Sequence, residues 1–167
     1  MDLTPYVQWI IYVHVLGAFA FAAGHGVSML VAFQLRRETD RGRMAALLDV
    51  SAQSLTVAGI GLIVLLIAGI VAGIVRGSFG QAWIWISLVL FIVIGGLMTP
   101  FGATHFNKIR LALGIRPGTM KSEEPDPVPA SDAELAALLN TRRPEWLLAI
   151  GAGGFVVIVY LMYFRPF

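Results

Sequence analysis

Apolar and polar positions follow one another along this chain in long blocks, not in a short alternation. Four blocks are apolar: residues 6–35, 54–75, 83–106 and 146–164. A helix crosses the ~30 Å hydrocarbon core of a bilayer in about 20 residues, so each block is long enough to span one. Helix is the form such a run takes there, because lipid offers backbone N–H and C=O groups no partners. The pattern predicts an all-α polytopic membrane protein, a four-helix transmembrane bundle. Residues 6–35 exceed the minimum, so the first span should tilt or project past the interface. From Arg43 onward Met44, Leu47, Leu48, Ser51 and Leu55 fall three or four apart. That spacing predicts an interfacial helical turn or two running on into the second span. Pro100 lies inside the third span and predicts a kink, since its ring clashes with the Gly96 carbonyl and it has no N–H to donate.

The one substantial polar region is 107–144. Its stretch KSEEPDPVP, residues 121–129, predicts an extended, mobile linker. Ser131-x-x-Glu134 then fits a capping box and opens a short helix reaching about Asn140. Leu135, Leu138 and Leu139 give that helix an apolar stripe suited to the membrane surface.

Composition agrees with the block pattern: 57% of residues are apolar and 13% charged, half the charge of an ordinary soluble domain. With no cysteine, disulfides, thiolate metal sites and CxxC redox pairs are excluded. The net charge of +2 is no signal for nucleic acid here, because the basic residues sit beside the spans. Arg36, Arg37, Arg41 and Arg43 lie between spans one and two. Lys108, Arg110, Arg116, Lys121, Arg142 and Arg143 lie between spans three and four. The positive-inside rule makes 36–53 and 107–144 cytoplasmic and puts both termini on the non-cytoplasmic side of a plasma (inner) membrane. The opening Met-Asp-Leu has no basic n-region, so a cleaved signal peptide is not expected. Tyr6, Trp9, Tyr12, Trp83 and Trp85 read as interfacial anchors.

The central parts of the spans hold no Asp, Glu, Lys or Arg, which counts against ion-coupled transport through a carboxylate relay. There is no phosphate loop, nucleophile elbow or catalytic carboxylate pair. The candidate chemistry is in three histidines. His14 and His25 are eleven residues apart, so both point to one face of the first span, about 16 Å apart along it. Gly17, Ala18, Phe21 and Ser28 share that face; its small residues leave room for a flat macrocycle or for a close neighbouring helix. His25 lies 19 residues from Tyr6 and His105 22 residues from Trp83. Equal depths would let His25 and His105 face each other and hold a metal or haem iron between helices. The plainer alternative is that the histidines only hydrogen-bond across helices. Met98 is a weak further candidate partner for His14. Gly69, Gly73 and Gly77 form a small-xxx-small ladder on span two, read as a helix-packing face.

The segment His14-Val15-Leu16-Gly17-Ala18, with Gly24 beyond it and a basic cluster at the end of the span, resembles the first span of small bacterial membrane proteins. These are uncharacterised four-span integral membrane families, the HemJ-type protoporphyrinogen oxidases and the CopD-like copper-resistance domains. The resemblance covers about the first 40 residues. For the HemJ type it implies haem held by a first-span histidine, here His14. The chain departs from that type in lacking a Trp and a Leu-Pro-Arg run after the histidine, and a basic residue in span two.

The leading expectation is a membrane subunit holding b-type haem, or acting in redox, through His14, His25 and His105. Two alternatives stand beside it. One is an accessory subunit packed by its glycine faces against other membrane subunits or a second copy. The other is a small channel or carrier of a lipophilic ligand. Whether the protein is an enzyme is left open by the sequence.

Overall fold

A computed structural model of the chain describes residues 2–98 and 102–166, and all its regular structure is helical. The helices are α1 (Val7–Leu35), α2 (Arg41–Val75), α3 (Ala82–Met98), α4 (Thr104–Ala112), α5 (Asp132–Leu139) and α6 (Arg143–Phe164). Three stretches are long and apolar enough to cross a membrane among the described residues: Thr4–Leu35, Arg41–Val75 and Asp132–Phe164. α3 is apolar but shorter, at 17 residues. Pro100 and the kink expected of it lie outside the described residues. His105 and Phe106, expected at the end of span three, belong to α4.

α2 is one continuous helix of 35 residues, ~52 Å long, so it outreaches a bilayer core by several turns. Asp40 starts it: the side chain accepts from the Arg43 N–H at 2.7 Å, satisfying one of the orphan donors of the first turn. Gly77 stops it with φ +62°, a left-handed conformation that only glycine adopts without strain, and residues 78–80 turn the chain towards α3.

α1 and α2 form a hairpin of closely approaching backbones. A Cβ on Gly17 would stand 2.6 Å from the Leu65 nitrogen, and one on Gly61 2.6 Å from the Phe21 nitrogen. Gly24 meets Ser54 and Ala58 of α2 in the same way. Ser28 and Ser51 share a buried hydrogen bond of 2.8 Å further along. α3 and α6 form a second, antiparallel pair, with Ile94 seated on Gly154 and Met98 on Gly151. The pairs meet at Phe21, whose ring lies 6.3 Å from Phe91 and 6.5 Å from Phe155.

One end of the molecule carries a cap. There the end of α1 and the start of α2 enclose, with α4 and α5, an apolar core that includes Leu35, Leu48, Phe106, Ile109, Leu135 and Leu139. The leucine stripe of α5, expected on the membrane surface, is turned into this core: Leu135 and Leu139 are buried and Leu138 packs against it. The expected mobile linker is folded as well. Arg116 donates to the Lys121 carbonyl at 2.8 Å, the Glu124 carbonyl at 2.7 Å and the Asp126 carboxylate at 2.9 Å, drawing the loop around one guanidinium. Arg41 donates to the Ala130 carbonyl and to Asp132, each at 2.7 Å, and Arg110 to the Leu48 carbonyl at 2.6 Å. Arg36 pairs with Glu145, joining the end of α1 to the start of α6. At the opposite, open end Arg165 stands 5.6 Å over the Trp83 ring, so the end of α6 lies beside the start of α3. Trp83 is buried beneath it, whereas Trp85 is exposed.

Candidate functional site

The three histidines occupy three separate levels of the molecule. His14 sits between α1 and α2. Its Nδ1 donates to the Leu65 carbonyl at 2.8 Å. A helical carbonyl has no proton to give, so Nδ1 is the nitrogen that carries the hydrogen in this bond. Gly69 makes the approach possible, since a Cβ there would stand 2.8 Å from Nδ1 and 2.9 Å from Cε1. The described residues supply no hydrogen-bond partner for Nε2, which points away from the Leu65 carbonyl.

The glycine ladder of α2 is therefore not one packing face. Gly69 receives the His14 ring, Gly73 receives Phe79 and Ile84, and Gly77 is the left-handed residue beyond the helix, with nothing within 4 Å of where a Cβ would be. The close backbone contact falls on Gly17, Gly24 and Gly61. Gly17 was visible on the face of His14, and the two uses of small residues noted there are now separated: at Gly17 the small residue admits a neighbouring helix.

His25 is half-buried where the helix pairs meet. Its ring packs edge-on against Phe21, centroids 4.6 Å apart. No hydrogen bond to it is formed among the described residues. Met98, the possible partner for His14, instead touches Gly151 of α6.

His105 is 6% exposed, on α4 at the margin of the cap. It lines a narrow crevice with Ala32, Leu35, Arg36, Phe106 and Leu147. Ala32 to Arg36 are seven to eleven residues beyond His25 on α1, ~10–16 Å along the helix. The two histidines are thus not brought level, and the expected His25–His105 centre is not assembled. The depth count treated the third span as one straight rod from Trp83, whereas His105 sits on α4, which packs into the cap. Lys108, one turn on from His105, and Arg143, at the start of α6, both act on its ring electrostatically. Among the described residues no group of three or more His, Asp or Glu side chains is placed to hold a metal ion.

A chain of closely packed apolar helices with few charges inside and a polar cap at one end is the build of a membrane protein. It belongs to the family described as predicted integral membrane protein (DUF2269), which matches residues 8–166. No curated protein and no solved structure matches the chain. The match covers nearly the whole chain. The family's description names no ligand or reaction.

Two features of the site were beyond the sequence. The pairing of His14 with Leu65 spans 51 positions, and its one sequence signal was Gly69, which looked like part of a ladder. The placement of His105 beside Arg36 was hidden because basic residues at span ends already had a reason to be there.

Proposed function

We propose that this integral membrane protein holds a b-type haem through His14. The observation that carries the reading is the His14 Nδ1–H bond to the Leu65 carbonyl. Ligating histidines characteristically donate their second ring N–H to a carbonyl or carboxylate, which orients the ring and raises the basicity of the ligating nitrogen. His14 meets that condition, with Nε2 as the nitrogen left for a metal. The first-span resemblance to HemJ-type proteins supports the same residue. His14 is the residue that would hold such a group, through Nε2, because the side of α1 at Gly17 is filled by α2. A bound haem would supply one-electron chemistry. The chain contributes an imidazole oriented by its Nδ1–H bond, in surroundings from which lipid and packed helices exclude water. His25 and His105 have no part in this site. In this reading the membrane is the plasma membrane and the cap is cytoplasmic, where ten of the twelve basic residues then lie.

The test is the absorption spectrum of protein purified in mild detergent after expression with ample haem. A Soret band is expected in the wild type, lost in His14→Ala and in Gly69→Ala, which displaces the ring, and kept in His25→Ala and His105→Ala. A wild type without the band leaves His14 as a tie between helices and ends the haem reading.

A further inference from the structure

We propose that the outer face of α2 is where copies of this chain meet in the membrane, α2 parallel to α2. The inference is independent of the haem reading. α2 packs along α1, and the opposite side of its span exposes Ile60, Ile63, Ile67, Ile70 and Ile74. Gln53 and Thr56, also exposed, open the same line. The steps along it are three, four, three, four, three and four residues, the a and d positions of three heptads. Val57 apart, no other residue from 53 to 74 is exposed. The back of a helix packed on one neighbour falls on such a line by geometry alone, but geometry does not choose the residues. Lipid accepts any apolar surface, as on α3, where Trp85, Val89, Gly96 and Leu97 stand exposed. On α2 the five positions are all isoleucine. A β-branched side chain in a helix already holds one rotamer, so ordering it against another helix costs little entropy. Gly69 and Gly73, the glycines expected to serve such packing, are filled from within by His14, Phe79 and Ile84.

Gln53 decides what covers the face. Ser28 meets Ser51 and Gly24 meets Ser54, so Gln53 lies level with a point eight to twelve residues inside Arg36 on α1, ~12–18 Å along the helix. Trp146, exposed beside the Arg36–Glu145 pair, marks the headgroup level there. Asp49, one turn before Gln53, is the last charge on α2 until Arg76, and it has Arg110 as its partner at 3.2 Å. Thr56 donates to the Ala52 carbonyl at 3.2 Å. Gln53 faces outward and forms no hydrogen bond among the described residues. An unpaired amide turned to hydrocarbon is costly, and polar side chains in spans ordinarily turn to a neighbouring helix. An amide is complementary to itself, because it carries both a donor and an acceptor. All copies of a membrane protein insert in one orientation, so two α2 helices meet in parallel, and each heptad position comes level with its own counterpart. Gln53 then bonds the partner's Gln53, and the isoleucines interlock beyond it. Isoleucine at both a and d favours three strands over two, which gives a ring of three copies.

The experiment is disulfide cross-linking of the full chain in phosphatidylcholine vesicles at large lipid excess. The chain has no cysteine, so a single introduced one reports alone. Oxidised Ile60→Cys and Ile67→Cys are expected to run as linked pairs on a non-reducing gel. Val93→Cys, 50% exposed on α3, is expected to stay unlinked. Gln53→Met keeps the side chain's length and removes the amide. Placed in the Ile67→Cys chain, it is expected to lower the association constant, read from linkage as lipid is diluted in, about fivefold, the scale of one cross-helix hydrogen bond. Without a disulfide, SDS is expected to part the copies before it unfolds a chain, so an unfolding titration in SDS reads the single chain with this face against alkyl chains. Absence of linkage at 60 and 67 overturns the proposal, whether or not another membrane protein binds the face. Equal linkage at 93 overturns it as well, since that would be random collision. Association undiminished in Gln53→Met removes the ground for choosing a second copy, and the proposal falls with it.

Discussion

Single side chains in this protein do their work by meeting backbone groups that would otherwise lack partners. His14 reaches a helical carbonyl because Gly69 leaves room. Ser131 and Glu134 close a reciprocal capping box at the start of α5: the Glu134 N–H donates to the Ser131 hydroxyl oxygen, and Glu134 accepts from the Ser131 N–H at 2.9 Å. The Glu134 carboxyl is held below its ordinary value of 4.5, first by the Ser131 hydroxyl and then by the Ser131 N–H. A carboxyl depressed by folding favours the folded form above its unfolded pKa, and that contribution is lost as pH falls through the lower, folded value. The capping of α5 is therefore expected to persist at neutral pH and to loosen in acid. Side-chain NMR titration of Glu134 in detergent micelles should give a midpoint below 4.5, moving up towards it in Ser131→Ala. An unchanged midpoint in that variant would mean that the hydroxyl does not stabilise the carboxylate.

At the scale of elements, the α1–α2 hairpin depends on three glycines that let two backbones touch. In lipid, helix association gains little from hydrophobicity, because the acyl chains are as apolar as the side chains; close packing and cross-helix hydrogen bonds have to provide it. Gly24→Ala would put a methyl 2.8 Å from the Ala58 Cβ and against the Ser54 carbonyl, and a helical backbone cannot yield locally. The expected cost is about 1–3 kcal/mol in an SDS unfolding titration. Gly59→Ala is the control, since no heavy atom lies within 4 Å of a Cβ there; the substitution should be neutral or slightly stabilising. Loss of stability in both variants alike would refute the role assigned to Gly24. The ladder Gly69, Gly73 and Gly77 had the stronger sequence signature, yet its members receive a histidine, two apolar side chains and a turn.

Across the whole molecule, stability is divided between two solvents. The spanning helices expose large side chains such as Ile63 and Phe19 to lipid, while the cap buries Leu35, Leu48 and Ile109 almost completely. Leu48→Ala removes a side chain with 0% exposure and should cost about 2–5 kcal/mol in the same titration. Ile63→Ala, 59% exposed among acyl chains, should stay within about 0.5 kcal/mol of wild type. If the two costs were equal, the cap would not be a cooperative core.

The sequence by itself determined the class of solvent, the helices, and most of their ends. Bilayer thickness, the need for internally satisfied backbone groups, and the cap at Ser131 are all local demands, readable where they occur. The tertiary structure alone decided which faces meet. Spans that are apolar all round carry no stripe to show their inward side, so Gly17, Gly24 and Gly61 could not be told from other small residues. Counting the third span as one straight rod put His25 and His105 at one depth, while the fold sets His105 with Arg36 at the cap. Charges followed suit: their number and position in the chain were fixed, but the carbonyls of Leu48, Ala130 and Glu124 as arginine partners existed only once distant loops had been brought together.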